Sequence, residues 1–175
     1  MTLAELLAGI AVLAVLMTGM LGILEQGHRA YFIGAARVDA QQSARAALAR
    51  LAADIRRAGA GGLGFDAVSI AEPQRVMLHQ DTDGDELLAS NGETVVWLLT
   101  GATLRRAAGG GAQPVVDGVE QFALTYFDAA DAPTTLPAAV RSIDITLTTR
   151  SLHSLMPDAR PGAFVVATRV RLRNR

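Results

Sequence analysis

The densest run of chemistry-bearing side chains is Asp81-Thr-Asp83-Gly-Asp85-Glu86, with acids at alternate positions. A chain turning around a hard cation can offer an oxygen at every second residue, so Asp81, Asp83 and Asp85 are candidate Ca2+ ligands. The remainder of a Ca2+ loop is not followed. Gly84 falls at the fourth place instead of the sixth, and the place where a closing Glu belongs is Gly92, with Glu93 one position late. Asp and Gly are also what an ordinary hairpin turn prefers, because they accept left-handed backbone and bond locally. A Ca2+ loop and a plain acidic turn are the two expectations for this segment.

Glu5 is an acid of another kind, standing at the edge of a stretch without charge. Residues 6–24 read LLAGIAVLAVLMTGMLGIL. An ionised carboxylate carried towards a bilayer centre costs up to about 3 kcal/mol without a partner. Glu5 must therefore stay at headgroup level, helped by the positive end of its helix, or meet a cation. At the other terminus Arg169, Arg171, Arg173 and Arg175 alternate with Val170 and Leu172. Such a row is either a solvated strand face whose charges discourage aggregation or a docking face for an acidic partner.

Other patterns carry less. The GxGxxG string at 59–64 has a helical pattern before it and none after, the reverse of a dinucleotide fingerprint. Gly109 to Gly111 is followed by neither Lys nor Ser/Thr, so it reads as a turn. His28, His79 and His153 lack metal-site spacing, Cys is absent, and there is no GxSxG. No catalytic residue is singled out, no cofactor beyond possible Ca2+ is implied, and a non-enzymatic role is expected.

The elements that must position these residues follow from periodicity. The chain has 175 residues, enough for one ordinary domain, of which 50% are hydrophobic and 19% charged, which excludes a disordered chain. Acidic and basic residues number 17 and 16, every base being Arg, so no global field favours nucleic acid. Residues 6–24, as a helix, span roughly 28 Å, close to a hydrocarbon core. A basic start, a shorter apolar stretch and a small-x-small cleavage site are missing, so the span reads as an anchor that is retained. Arg29 and Arg37 follow it and no base precedes it; the positive-inside rule alone would leave the bulk of the chain in the cytoplasm, and a basic leader removed ahead of Met1 would reverse that.

Beyond the span there is no Pro up to Ala58, and Val38, Leu48, Leu51 and Ile55 recur at helical spacing among arginines. One helix about 85 Å long is expected, stopped by Gly59, with Gly19, Gly22, Gly27 and Gly34 as soft points. From there the period shifts towards two. Strands are expected over 75–80, 93–99, 103–106, 119–128, 140–150 and 164–172, divided by Asp-Gly, Asn-Gly, Gly-Gly-Gly and Pro-bearing turns. Ile143, Ile145 and Leu147 would face a core covered by the Leu48, Leu51 and Ile55 stripe. Trp97, Phe122, Tyr126 and Phe127 read as core. The fold class is α+β: a transmembrane segment (1–25), an amphipathic helical extension (26–58) and an antiparallel β head (59–175).

The opening Met-Thr-Leu-Ala-Glu-Leu-Leu and the span behind it resemble the start of mature type IV pilins and pseudopilins. The run from Ser43 to Gly59, the Tyr126-Phe-Asp128 triplet and the terminal Arg171-Leu-Arg-Asn-Arg175 are similar to W-type minor pilins and J-type minor pseudopilins. Met1 stands where Phe is common, and the Pro of the major pilin helix and the C-terminal Cys pair are missing, which points to a minor subunit. The resemblance implies leader cleavage by a prepilin peptidase and N-methylation at Met1, with Glu5 as the assembly acid. It further implies single-pass residence in the bacterial inner membrane with the head outside the cytoplasm, then incorporation into a pilus or a periplasmic pseudopilus. The implied partners are other minor and major pilins or pseudopilins, an inner-membrane assembly platform and, at a tip, an adhesin; the implied roles are filament initiation, adhesion or protein secretion. A buried Glu5 would be met by the α-amino group of a neighbour's Met1, setting axial register between subunits.

Overall fold

A computed structural model describes residues 2–61, 64–150 and 163–174. Met1, Gly62, Leu63, His153 and Arg175 lie outside the described residues.

A single helix, α1, runs unbroken over Leu3–Arg57. Its start is fixed by Thr2, whose hydroxyl accepts the Glu5 N–H while the Glu5 carboxylate accepts the Thr2 N–H. This reciprocal arrangement satisfies two donors that a helix N-terminus otherwise leaves unpaired. The glycines at 19, 22, 27 and 34 do not interrupt it, and a Cβ at any of them would meet nothing. The helix ends at Ala58, and Gly59 turns the chain away at φ +78°, its N–H donating to the His79 carbonyl at 2.8 Å. Only Gly fits there, since a Cβ would lie 2.9 Å from the Asn174 carbonyl oxygen.

The head is two antiparallel sheets. The first holds five strands in sequence order: β1 (Val68–Glu72), β2 (Arg75–His79), β3 (Thr94–Thr100), β4 (Thr103–Ala107) and β5 (Ala112–Asp117). The second holds β6 (Val119–Phe127), β7 (Ser142–Arg150) and β8 (Ala163–Arg171), with a 3-10 turn at Pro137–Ala139 between β6 and β7. The strands β1 and β5 are not among those expected from periodicity. Pro114 stands inside β5, which is tolerable because β5 is the edge of its sheet. The two sheets are stitched by the Val119 N–H to the Ala102 carbonyl (2.9 Å), the Leu124 N–H to the Pro73 carbonyl (2.8 Å) and the Tyr126 hydroxyl to the Glu72 carbonyl (2.7 Å).

The last four turns of α1 pack against β5, β7 and β8. Ala44, Ala47, Leu51, Ala52 and Ile55 form the buried stripe, Leu48 lies half-buried beside it, and Val38 is exposed. Three alanines among five contact positions let the helix approach the sheets closely. Ile143, Ile145 and Leu147 point into this core with Trp97 and Phe122, whereas Asp144 and Thr146 face outward. The head's core includes α1 from Ala44 onward.

Candidate functional site

The N-terminal two-thirds of α1 buries nothing. Leu3, Leu6, Leu7, Ile10, Leu13 and the large apolar residues through Leu24 are exposed, as are Tyr31 and Phe32 beyond them. The helix is long and apolar enough to cross a membrane, with a window of mean hydropathy 2.4 and none of that window buried. Apolar side chains on every face, not on one stripe, are consistent with a helix that could span a membrane. Glu5 sits at its base and, as N3 of the helix, closes the capping box. The spacing of charges gives Glu5 an electrostatic role alone; the capping role is legible in Thr2-Leu-Ala-Glu5, a T-x-x-E string.

At the opposite end of α1 a buried acid joins helix to sheet. Asp54 accepts the Trp97 indole N–H at 2.9 Å, the Arg106 Nε–H at 2.8 Å and an Arg57 N–H at 2.7 Å. Burial pushes its carboxyl pKa up, but the bonds from Arg106, Trp97 and Arg57 outweigh that and hold it below the usual carboxylate range. Motif spacing does not single out Asp54. The available signal is an acid set between Leu51 and Ile55 on the apolar stripe, a placement that demands partners.

The acidic run occupies the connection between β2 and β3. Asp81, Asp83, Asp85 and Glu93 each bring one carboxylate oxygen to within 4.8 Å of the others. Oxygens on opposite sides of a Ca2+ ion stand roughly 5 Å apart, so the spacing suits such an ion. Glu93 enters this group despite its late position in sequence. It is fully buried and accepts from the Thr82 and Ser90 N–H groups at 3.1 and 2.7 Å. Asp81 accepts the N–H groups of Asp83, Gly84 and Glu86, and Asp83 accepts the Ser90 hydroxyl. That last bond leads the causes holding the Asp83 carboxyl below its ordinary pKa. The same geometry therefore makes a self-capped acidic turn.

Arg169, Arg171 and Arg173 share the outward face at the end of β8, with Val170 and Leu172 buried opposite. They are not equivalent. Arg169 lies across Asp144, at 2.9 Å from its Oδ2, reaches Asp131 at 2.9 and 3.1 Å, and stacks over the Phe127 ring at 4.2 Å. The side chains of Arg171 and Arg173 have no hydrogen-bond or ion-pair partner among the described residues. His79 bridges the Thr94 and Ser69 hydroxyls, and His28 stands exposed on α1, so the structure does not bring these two histidines together. Tyr126 and Phe127, which carry part of the resemblance, hold the two sheets together and seat Arg169.

No protein-family profile matches the chain, and no curated protein sequence matches it. The architecture itself, one long apolar N-terminal helix bearing an antiparallel β head, is pilin-like.

Proposed function

We propose that this chain is a structural subunit of a helical filament: a minor pilin that helps initiate and build a type IV pilus at or near its tip, or the equivalent J-type minor pseudopilin of a type II secretion system. The observation that carries this reading is the apolar rod of α1, bare on all faces in the single chain, with an acid at its base and a folded head only at its far end. Before assembly the rod lies in the inner membrane with the head outside the cytoplasm. On assembly it leaves lipid for a bundle of like helices, where the Glu5 charge is met by the terminal amine of a neighbouring subunit.

The capping box allows a sharper test than removal of the acid. Glu5→Gln keeps an N3 acceptor for the Thr2 N–H and removes the charge, whereas Glu5→Ala removes both. Membrane insertion of both variants should be normal, and co-purification with pilin-like partners should be lost in both. Normal co-assembly of Glu5→Gln would leave Glu5 with a capping role only and sink the proposed pairing.

A second reading, a membrane-anchored Ca2+-binding module, is favoured by the convergence of Asp81, Asp83, Asp85 and Glu93. Calorimetric titration of the full chain in detergent with Ca2+ tests it. Heat and thermal stabilisation lost in Asp83→Asn would support it, and neither heat nor stabilisation in the parent would remove it.

A further inference from the structure

We propose that the cleft at the end of the three-stranded sheet is a carboxylate-binding site for an acidic peptide segment of a partner protein, with Arg171 and Arg141 as its donors. The partner's being another protein rests on the filament-subunit reading; the chemistry rests on the cleft alone.

The cleft has a volume of about 410 Å3 and is lined by Asp128, Asp131, Arg141, Arg169 and Arg171, with Ala129 and Ser142. Of its acids, Asp131 is paired with Arg169 and Asp128 is bonded through one oxygen to backbone. Asp128 Oδ1 accepts the Ala130 and Ala132 N–H groups at 2.8 and 3.0 Å, and both Asp131 oxygens accept from Arg169. Asp144 behind them is held by the same Arg169. Its bases are not equally engaged. Arg141 is anchored through Nη1 alone, to the Ala138 and Val140 carbonyls at 3.1 and 2.9 Å, which fixes the guanidinium while leaving its other N–H donors for a ligand. The Arg171 side chain donates to nothing among the described residues. Two guanidiniums with spare donors in one cleft, beside an Asp131 and an Asp144 already held by Arg169, suit a carboxylate that can accept a forked pair of N–H bonds.

Position favours a protein segment over a small acid. Asn174, three residues beyond Arg171, donates its side-chain amide to the carbonyls of Arg56, Arg57 and Ala58. The cleft therefore lies by the end of α1 that is farthest from the apolar rod. Arg56 and Arg173 are exposed at that end, so positive charge continues outside the cleft and a chain with several acids gains more than a lone carboxylate.

The test is binding of a labelled hexaglutamate peptide to the full chain in neutral detergent micelles, followed by anisotropy, with a hexalysine peptide as control. The acidic peptide should bind and weaken with salt. Arg171→Glu should weaken it at least ten-fold and Arg171→Lys several-fold, while Arg50→Glu on the exposed face of α1 should leave it unchanged. Because the Arg171 side chain makes no bond among the described residues, its variants should melt with the parent, so lost binding cannot be blamed on misfolding. Absence of salt-sensitive binding, or equal binding by Arg171→Glu and the parent, overturns the site. If the parent enters filaments but fails this assay, the cleft is wrong and the subunit reading stands; a chain that binds the peptide and never enters a filament keeps the cleft and loses the subunit reading.

Discussion

Residues 3–38 and 44–58 belong to one helix, and they differ in what surrounds them. The first stretch buries no side chain, although it is far richer in large apolar residues; the second buries Ala44, Ala47, Leu51, Ala52, Asp54, Ile55 and Ala58. The richer apolar sequence is the barer one. What packs a helix onto its own chain is a stripe with polar residues behind it, not total apolar content, since an all-round apolar helix has no solvated face to leave outward. The rod is left bare by its own chain, while the stripe is covered by β5, β7 and β8.

That contrast can be broken from either side. The largest effect is expected for Asp54→Ala, which leaves Arg106 and the Trp97 indole N–H without their acceptor. Loss of one partner from a buried pair costs about 3–5 kcal/mol, so the head should unfold at much lower urea while membrane retention is untouched. Val15→Arg should do the reverse. A cation near the middle of the span costs about 3 kcal/mol of insertion, read by membrane fractionation, and the urea midpoint of the head should not move.

The Asp54 network also sets an acid limit. Its carboxyl is held below the ordinary range in the folded head, so its contribution is complete above the unfolded value of about 3.9 and is lost as pH falls through the lower folded value. Denaturation midpoints should drop below about pH 4 and do so less steeply in Asp54→Asn. The smallest effect belongs to the exposed pair of Glu25 with Arg29 just past the span: Glu25→Ala should cost about 0.2–0.5 kcal/mol of helix stability, visible in salt-dependent circular dichroism and nowhere else.

Much of this architecture is legible in order along the chain. The rod, its continuation and its stop at Gly59 follow from local composition, because a helix is built from contacts between near neighbours. Six strands are legible for a similar reason, and β1 is not, being five residues with a register shift near its start. Pro114 conceals β5, since a proline argues against a strand until the strand is known to be an edge. The candidate sites are less legible. Periodicity places Arg169, Arg171 and Arg173 on one face, but it cannot show that Arg169 is tied to Asp131 and Asp144, or that Arg141 arrives from the start of another strand to join Arg171.

By itself the sequence determined the membrane-capable rod, the acid at its base and the alternation that makes the head a β structure. Tertiary structure alone decided that the strands divide into two sheets and that Asp54 clamps helix to sheet. It also decided that Glu93 joins the acidic turn and that Arg171 and Arg141 share one cleft. The physical reason is range: hydrophobic period and capping act within a few residues, whereas pairing of Asp54 with Trp97 and Arg106 joins groups 43 and 52 positions apart. No local pattern encodes which distant segments will meet.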